Sequence, residues 1–120
     1  MGKKILIVED DFDTRYMLSL ILKDEGYEVI TAADGECALA VASEQKPDLI
    51  ITDINMPRVN GIELTRKIRL RHDMASMPIL AITAYGAMTI NTAIAAGASA
   101  CARKPLEMRE FLPIVKNLLA

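Results

Sequence analysis

Polar residues that could bind a metal ion or take part in a reaction follow several of the apolar runs of this sequence. Three acids follow the first run, one acid follows the third, the fourth run ends in a threonine, and a lysine follows the fifth. These residues are Glu9, Asp10, Asp11, Asp53, Thr83 and Lys104. Carboxylates gathered at one place call for a cation, and oxygen ligands of this kind suit Mg²⁺. An aspartate beside such a cation can attack phosphorus, while a nearby lysine neutralises the charge on the transferred group.

The apolar runs are short and rich in β-branched residues, which predicts five strands separated by segments with helical spacing. Runs such as ILIV, LII and ILAI are apolar in succession, so helices should cover both faces of a parallel sheet. The pattern predicts an α/β fold, a doubly wound (βα)5 sandwich of the flavodoxin-like kind, in one domain spanning residues 1–120. The predicted strands are Lys4–Val8, Glu28–Ala32, Leu49–Thr52, Ile79–Thr83 and Ala98–Ala102.

In doubly wound folds, ligands bind at the carboxyl ends of the strands, near the switch in strand order. The acids are therefore predicted to share one site. A cluster of carboxylates repels a bare phosphate, which disfavours a nucleotide or flavin site. With a cation beside it, Asp53 is predicted to be the nucleophile that attacks phosphorus and forms an acyl phosphate.

Composition excludes several classes of protein. Fourteen Lys and Arg against sixteen Asp and Glu give a net charge of −2, so nucleic acid is not an expected partner. The run Ile5 to Val8 is too short for a signal peptide, and no stretch predicts a membrane-spanning helix. Cys37 and Cys101 lie far apart with no metal-binding pattern, which favours reduced thiols and a cytoplasmic location.

Five short motifs occur in order at the predicted strand ends. They are VEDD at 8–11, TDINMP at 52–57, NG at 60–61, ITA at 82–84 and KP at 104–105. Each is weak alone, but together they resemble the receiver domain of bacterial two-component response regulators, the CheY-like family. The resemblance spans essentially the whole chain.

The resemblance implies a role for each site residue. Asp53 would accept the phosphoryl group, and Asp10, Asp53 and the Asn55 carbonyl would ligate Mg²⁺. Glu9 would reach the metal mainly through water. Thr83 and Lys104 would contact the phosphoryl oxygens, and the bond between Lys104 and Pro105 matches a family position that is cis.

The resemblance also implies a signalling function. A sensor histidine kinase or a phosphotransfer protein would donate the phosphoryl group, and the output would be a change of protein partner. The chain would not be an enzyme beyond its own phosphorylation and dephosphorylation.

Three features depart from the family pattern or qualify it. Cys101 stands where receivers usually carry a tyrosine or phenylalanine, so the readout is expected to pass through the loop at 84–88. Tyr85 is expected to shield the phosphoryl group from water. Pro113 falls inside the last predicted helix and should kink it unless that helix begins late.

Other interpretations remain open from the residues alone. Asp11 suits a helix N-cap better than a metal ligand. An aspartate phosphohydrolase would want an acid two residues after Asp53, where Asn55 stands. The chain could also be an interaction module that is not phosphorylated. Residues 74–102 lack charged side chains, which predicts either a neutral docking face or a largely buried fourth helix.

Overall fold

The computed structural model describes residues 2–56, 59–84 and 86–120. Five strands alternate with five helices along the chain, as the periodicity predicts. The strands are β1 Lys4–Val8, β2 Glu28–Ala32, β3 Leu49–Asp53, β4 Ile79–Thr83 and β5 Ala100–Arg103. The helices are α1 Phe12–Asp24, α2 Gly35–Gln45, α3 Gly61–Arg69, α4 Ala87–Ala96 and α5 Met108–Leu119.

The strands form one parallel sheet in the order β2-β1-β3-β4-β5. The chain thus winds one way from β1 to β2 and the other way from β3 onward, which confirms the doubly wound fold. In the register, Val8 pairs with Thr52, and Asp53 pairs with Ile82. The carboxyl ends of β1, β3 and β4 therefore lie side by side.

Both faces of the sheet are covered, which explains strands that are apolar in succession. Alternate residues of a strand point to opposite faces. Ile5 and Ile7 pack with buried residues of α1 and α5, whereas Leu6 and Val8 pack with those of α2 and α3. A smaller cluster under α4 contains Ala93.

Several expectations change in detail. β3 includes Asp53, and β5 begins two residues later than predicted because the Ala98 N–H donates to the Ala93 carbonyl in the turn that ends α4. Cys37 lies exposed on α2. In the described part of the chain, no helix is long and apolar enough to cross a membrane.

The last two helices bear on two expectations from the sequence. α5 begins at Met108 and contains Pro113, which removes one backbone hydrogen bond of the helix, and the kink expected there stays a prediction. α4 is mostly exposed, since Ala93 is its one buried residue. Within the uncharged stretch 74–102, α4 is thus a neutral and mostly exposed helix, whereas β4 is buried.

Candidate functional site

Three carboxylates meet at the carboxyl ends of two neighbouring strands. Glu9 and Asp10 follow β1, and Asp53 is the last residue of β3 beside it. One carboxylate oxygen from each of the three lies within 4.8 Å of the others. Glu9 and Asp53 are buried, with 3% and 6% of their surface exposed, whereas Asp10 is exposed. The cluster therefore opens to solvent on the side of Asp10.

Lys104 contacts two of these carboxylates. Its Nζ donates to Asp53 Oδ2 at 3.1 Å and lies 3.6 Å from Glu9 Oε1. Its backbone N–H donates to the Thr83 carbonyl at 2.8 Å, and the bond to Pro105 is cis. Burial alone lowers the pKa of Lys104, but the hydrogen bond and charge of Asp53, together with the charge of Glu9, outweigh it and raise that pKa. Lys104 therefore stays charged at neutral pH.

The pKa of the Glu9 carboxyl is raised. Its burial raises its pKa, and the negative charge of Asp53 raises it further. The Asp11 N–H, which donates to Glu9 Oε2 at 3.1 Å, and the charge of Lys104 act in the opposite direction. The outcome is a pKa of about 6. The metal-free cluster is thus crowded with negative charge, and a cation would favour the ionised form of Glu9.

The start of α1 is fixed by Asp11. Its Oδ2 accepts hydrogen bonds from the Thr14 N–H at 2.9 Å and from Thr14 Oγ1 at 2.6 Å, and these bonds lower the pKa of Asp11. Asp11 is therefore the N-cap of α1. Sequence reasoning missed Arg15, whose Nη1 donates to the Glu9 carbonyl at 2.8 Å. Its position one helical turn after the cap was the available signal.

The backbone around Asp53 is held by its neighbours. Thr52 Oγ1 donates to the Asp53 carbonyl at 2.9 Å, and the Asn55 N–H donates to Asp53 Oδ1 at 3.3 Å. Gly61, the first residue of α3, lies against the Asp53 backbone so closely that a β-carbon would collide with it. Asn60 caps α3 through its side chain, which accepts from the Glu63 N–H at 2.9 Å. The NG motif thus allows α3 to begin directly beside the site.

The family model of the response regulator receiver domain matches residues 5–116 of this chain. The chain belongs to that family. Receiver domains of two-component systems take phosphoryl groups from histidine kinases or phosphotransfer proteins, and they bind Mg²⁺ at an acidic pocket. This chain is a phosphoacceptor receiver domain, and Glu9, Asp10 and Asp53 form an acidic cluster in it.

Three similar proteins illustrate the range of the family. The alkaline phosphatase synthesis transcriptional regulatory protein PhoP of Bacillus subtilis is 39% identical over 99% of the chain, which spans about half (49%) of PhoP. Sporulation initiation phosphotransferase F of the same organism is 32% identical over 99% of the chain and 95% of its own length. The receiver domain of the sensor histidine kinase PA1611 of Pseudomonas aeruginosa, solved with a magnesium ion in its active site cleft, is 30% identical with a TM-score of 0.91, covering 99% and 98% of the two chains.

Within this receiver domain, the structure brings together Glu9, Asp10, Asp53 and Lys104. Asn55 reaches Asp53 through its backbone N–H, and its carbonyl as a metal ligand stays a prediction. Thr83 is fully buried at the end of β4, and a contact of its hydroxyl with a phosphoryl oxygen also stays a prediction. Tyr85, predicted to shield the phosphoryl group, lies outside the described residues, as do Pro57 and Arg58.

Cys101 fills the position where receiver domains usually carry an aromatic ring. Its Sγ lies 4.0 Å from the Ile90 carbonyl of α4, and burial raises the pKa of its thiol. A small, half-buried thiol has no ring to rotate between an inner and an outer position. We expect the segment 84–88, whose last two residues begin α4, to transmit the effect of phosphorylation to a partner protein. This stays a prediction.

Proposed function

We propose that Asp53 is the phosphoacceptor and that Lys104 and Thr83 contact the oxygens of the transferred group. The observation that carries this proposal is the hydrogen bond from Lys104 Nζ to Asp53 Oδ2 at 3.1 Å. An Asp53 oxygen attacks phosphorus in line, the bond from phosphorus to the donor breaks, and the donor atom keeps the electron pair. Lys104 offsets the negative charge on the equatorial oxygens. Labelling with acetyl phosphate, followed by intact-mass measurement, tests the proposal.

Glu9, Asp10 and Asp53, with the Asn55 carbonyl, would hold Mg²⁺ in this proposal. The fit rests on the chemistry of the donor set, since three carboxylate oxygens lie within 4.8 Å of one another. When bound, the ion neutralises the carboxylates and attracts phosphoryl oxygens. Asp10 and Asp53 are assigned direct contacts with the ion, whereas Glu9 is assigned a contact through water.

Asp10→Ala is expected to weaken Mg²⁺ binding by about tenfold, and Glu9→Ala by less, because losing a direct ligand costs more than losing a water-mediated contact. Isothermal titration calorimetry with Mg²⁺ at pH 7.5 measures both. Asp13→Ala, an exposed acid in the first turn of α1, is the control and should leave the affinity unchanged. The reverse order of effects would contradict the assignment of the two ligands.

The same titration is expected to depend on pH. Glu9 has a pKa of about 6 without metal, so binding below that pH must displace its proton. Wild-type affinity should therefore fall as the pH is lowered from 7.5 through 6. In Glu9→Gln, which has no proton to displace, this component of the pH dependence should disappear.

We also propose that residues 1–120 form one receiver domain. This domain would catalyse only its own phosphorylation and dephosphorylation. Asn55, two residues after Asp53, cannot protonate a leaving group as the second acid of a phosphohydrolase does. Steady hydrolysis of p-nitrophenyl phosphate would contradict this part. Neither nucleic acid nor a membrane is a proposed partner. The free thiols of Cys37 and Cys101 suit a reducing compartment, and we include a cytoplasmic location in the proposal.

A surface beside the site is suited to the phosphodonor. Between α1 and the segment after β5 lies a groove of about 280 Å³, lined by Met17, Leu18, Lys104, Pro105 and Leu106 among others. Because Lys104 lines the groove and also belongs to the site, a protein donor that reaches Asp53 would lie against this groove. The exposed face of α1 extends the apolar surface through Phe12, Tyr16, Met17 and Leu20. We assign this surface to a protein that carries phosphohistidine.

Met17→Glu is expected to slow phosphoryl transfer from a histidine kinase by at least about tenfold, because it places a charge in an apolar contact. The donor is the autophosphorylated kinase that labels the wild type fastest in a panel of purified sensor kinases. Labelling by acetyl phosphate, which needs no protein surface, should be unchanged. Leu70→Glu, at an exposed apolar position that caps the carboxyl end of α3, is the control.

A kinase that labels Met17→Glu as fast as the wild type would show that the donor binds elsewhere. Equal slowing with acetyl phosphate would show that the substitution damages the site itself.

A further inference from the structure

β2 is an edge strand, and among the described residues no strand pairs with its outer side. The Glu28 N–H donates to the Lys3 carbonyl at 2.9 Å, and the register with β1 continues from there without a bulge. Because alternate residues of a strand bond to the same neighbour, the backbone N–H and carbonyl groups of Val29 and Thr31 point away from β1. The outer edge of β2 therefore presents hydrogen-bond donors and acceptors.

The sequence of β2 does not protect this edge from pairing with another strand. Edge strands are commonly protected by a lysine, a proline or a bulge. β2 has the sequence EVITA, and its one charged residue, Glu28, lies 3.7 Å from Lys4 Nζ. A groove of about 480 Å³ over the edge is lined by residues of α1, β2 and α2. Because α1 and α2 cover opposite faces of the sheet, a groove that both helices line leaves the edge between them open.

β2 is complementary to a second copy of itself. In an antiparallel pair of β2 strands with a twofold axis at Ile30, Val29 of each copy would lie opposite Thr31 of the other. Residues that face each other in this way can exchange both of their N–H···O bonds. Every outward backbone group of Val29 and Thr31 would then have a partner, and β-branched side chains would meet in cross-strand pairs.

The side of α1 that faces this groove is complementary to itself in the same way. Four exposed side chains lie along it at spacings of three, four and three residues, namely Asp13, Tyr16, Leu20 and Lys23. The last three of them line the groove. The same twofold axis makes α1 antiparallel to its copy, which places Asp13 opposite Lys23. Tyr16 then lies opposite Leu20, and each of these contacts occurs twice.

We propose that two copies of this chain associate through β2 and α1 and form one continuous sheet. The charge complementarity of Asp13 and Lys23 selects a second copy as the occupant of the groove. Tyr16 and Leu20 also belong to the surface assigned to the phosphodonor, so a donor and a second copy compete for them. This competition rests on the proposed function. The association itself needs no phosphoryl group, so its failure would leave the proposed function standing.

Sedimentation equilibrium of the unphosphorylated protein, over a wide range of concentration, is expected to show monomers and dimers in equilibrium. Asp13→Lys and Lys23→Asp should each weaken the dimer by at least about tenfold, because one reversal creates two contacts between like charges. An equimolar mixture of the two variants should dimerise again, since every ionic contact between them joins opposite charges.

Glu63→Lys and Lys116→Asp are the controls and should dimerise like the wild type. These exposed residues lie in the first turn of α3 and the last turn of α5, so they repeat both charge reversals away from the groove. A wild type that stays monomeric at every concentration would overturn the proposal. Single variants of Asp13 and Lys23 that dimerise as strongly as the wild type, or a mixture that stays monomeric, would overturn it as well.

Amide hydrogen exchange tests whether β2 joins the two copies. Raising the concentration of the wild type is expected to slow exchange at Val29 and Thr31 by at least about tenfold, because their amides gain hydrogen bonds in the dimer. Exchange at Ile30, whose amide already faces β1, should change little. Asp13→Lys at the same concentration gives the reference for the monomer. A wild-type dimer in which Val29 and Thr31 exchange as fast as in this variant would show that the copies associate through another surface.

Discussion

Asp53→Asn is expected to lower phosphorylation by acetyl phosphate by at least about 100-fold, to the background of the measurement, because a carboxamide is not a nucleophile toward phosphorus. The substitution keeps the size of the side chain and leaves an oxygen that can accept from Lys104 Nζ. The fold should therefore persist. Intact-mass spectrometry of the protein with acetyl phosphate and Mg²⁺ counts the phosphoryl groups. The same mixture with EDTA should give no labelling of the wild type, since the carboxylates then repel the anionic donor.

Asp24→Asn is the matched control for this experiment. Asp24 is an exposed acid at the carboxyl end of α1, far from the strand ends that form the site, so its substitution should leave labelling unchanged. A second readout reports on the site itself. The charge of Asp53 raises the pKa of Glu9, so that pKa should fall in Asp53→Asn. Labelling of Asp53→Asn at the wild-type level would refute the phosphoacceptor assignment.

Lys104→Met is expected to slow phosphorylation by acetyl phosphate by about 100-fold. It removes a fixed positive charge, 3.1 Å from Asp53 Oδ2, that offsets the charge developing on the transferred group. Methionine keeps much of the aliphatic length of lysine, so packing changes little. The initial rate of labelling by intact mass, at saturating Mg²⁺, measures the effect. Because the charge of Lys104 also lowers the pKa of Glu9, that pKa should rise in the variant.

Lys116→Met, an identical substitution at an exposed position of α5, should label at the wild-type rate. A thermal unfolding curve of each variant separates loss of chemistry from loss of the folded state. If folded Lys104→Met labels as fast as Lys116→Met, then Lys104 does not act on the transferred group and the proposed role is wrong.

Local sequence patterns were enough to predict the strands of the sheet and the polar site residues at their carboxyl ends. A strand that is buried on both faces appears in the sequence as a run of apolar residues. Burying a polar residue at the end of such a strand costs free energy, so its presence there indicates a functional site. The acids after β1 and β3 and the lysine after β5 were therefore visible in the sequence. Local signals also decided most strand bounds. They placed the start of β5 at Ala98, two residues too early. The Ala98 N–H is used in a backbone hydrogen bond to the Ala93 carbonyl in the turn that ends α4.

The sequence predicts that the acids share one site, but only the tertiary structure decided which atoms of these residues are in contact. The strand order places β1 beside β3, so Glu9 and Asp53 become neighbours although they lie 44 positions apart along the chain. Burial and the Asp53 charge then raise the pKa of Glu9, a property that spacing along a chain does not encode. The contact of Arg69 with Gly97, 28 positions later, likewise joins a side chain to a distant carbonyl. Local sequence patterns indicate which helix or strand a residue belongs to, whereas contacts between helices and strands depend on how these elements pack together.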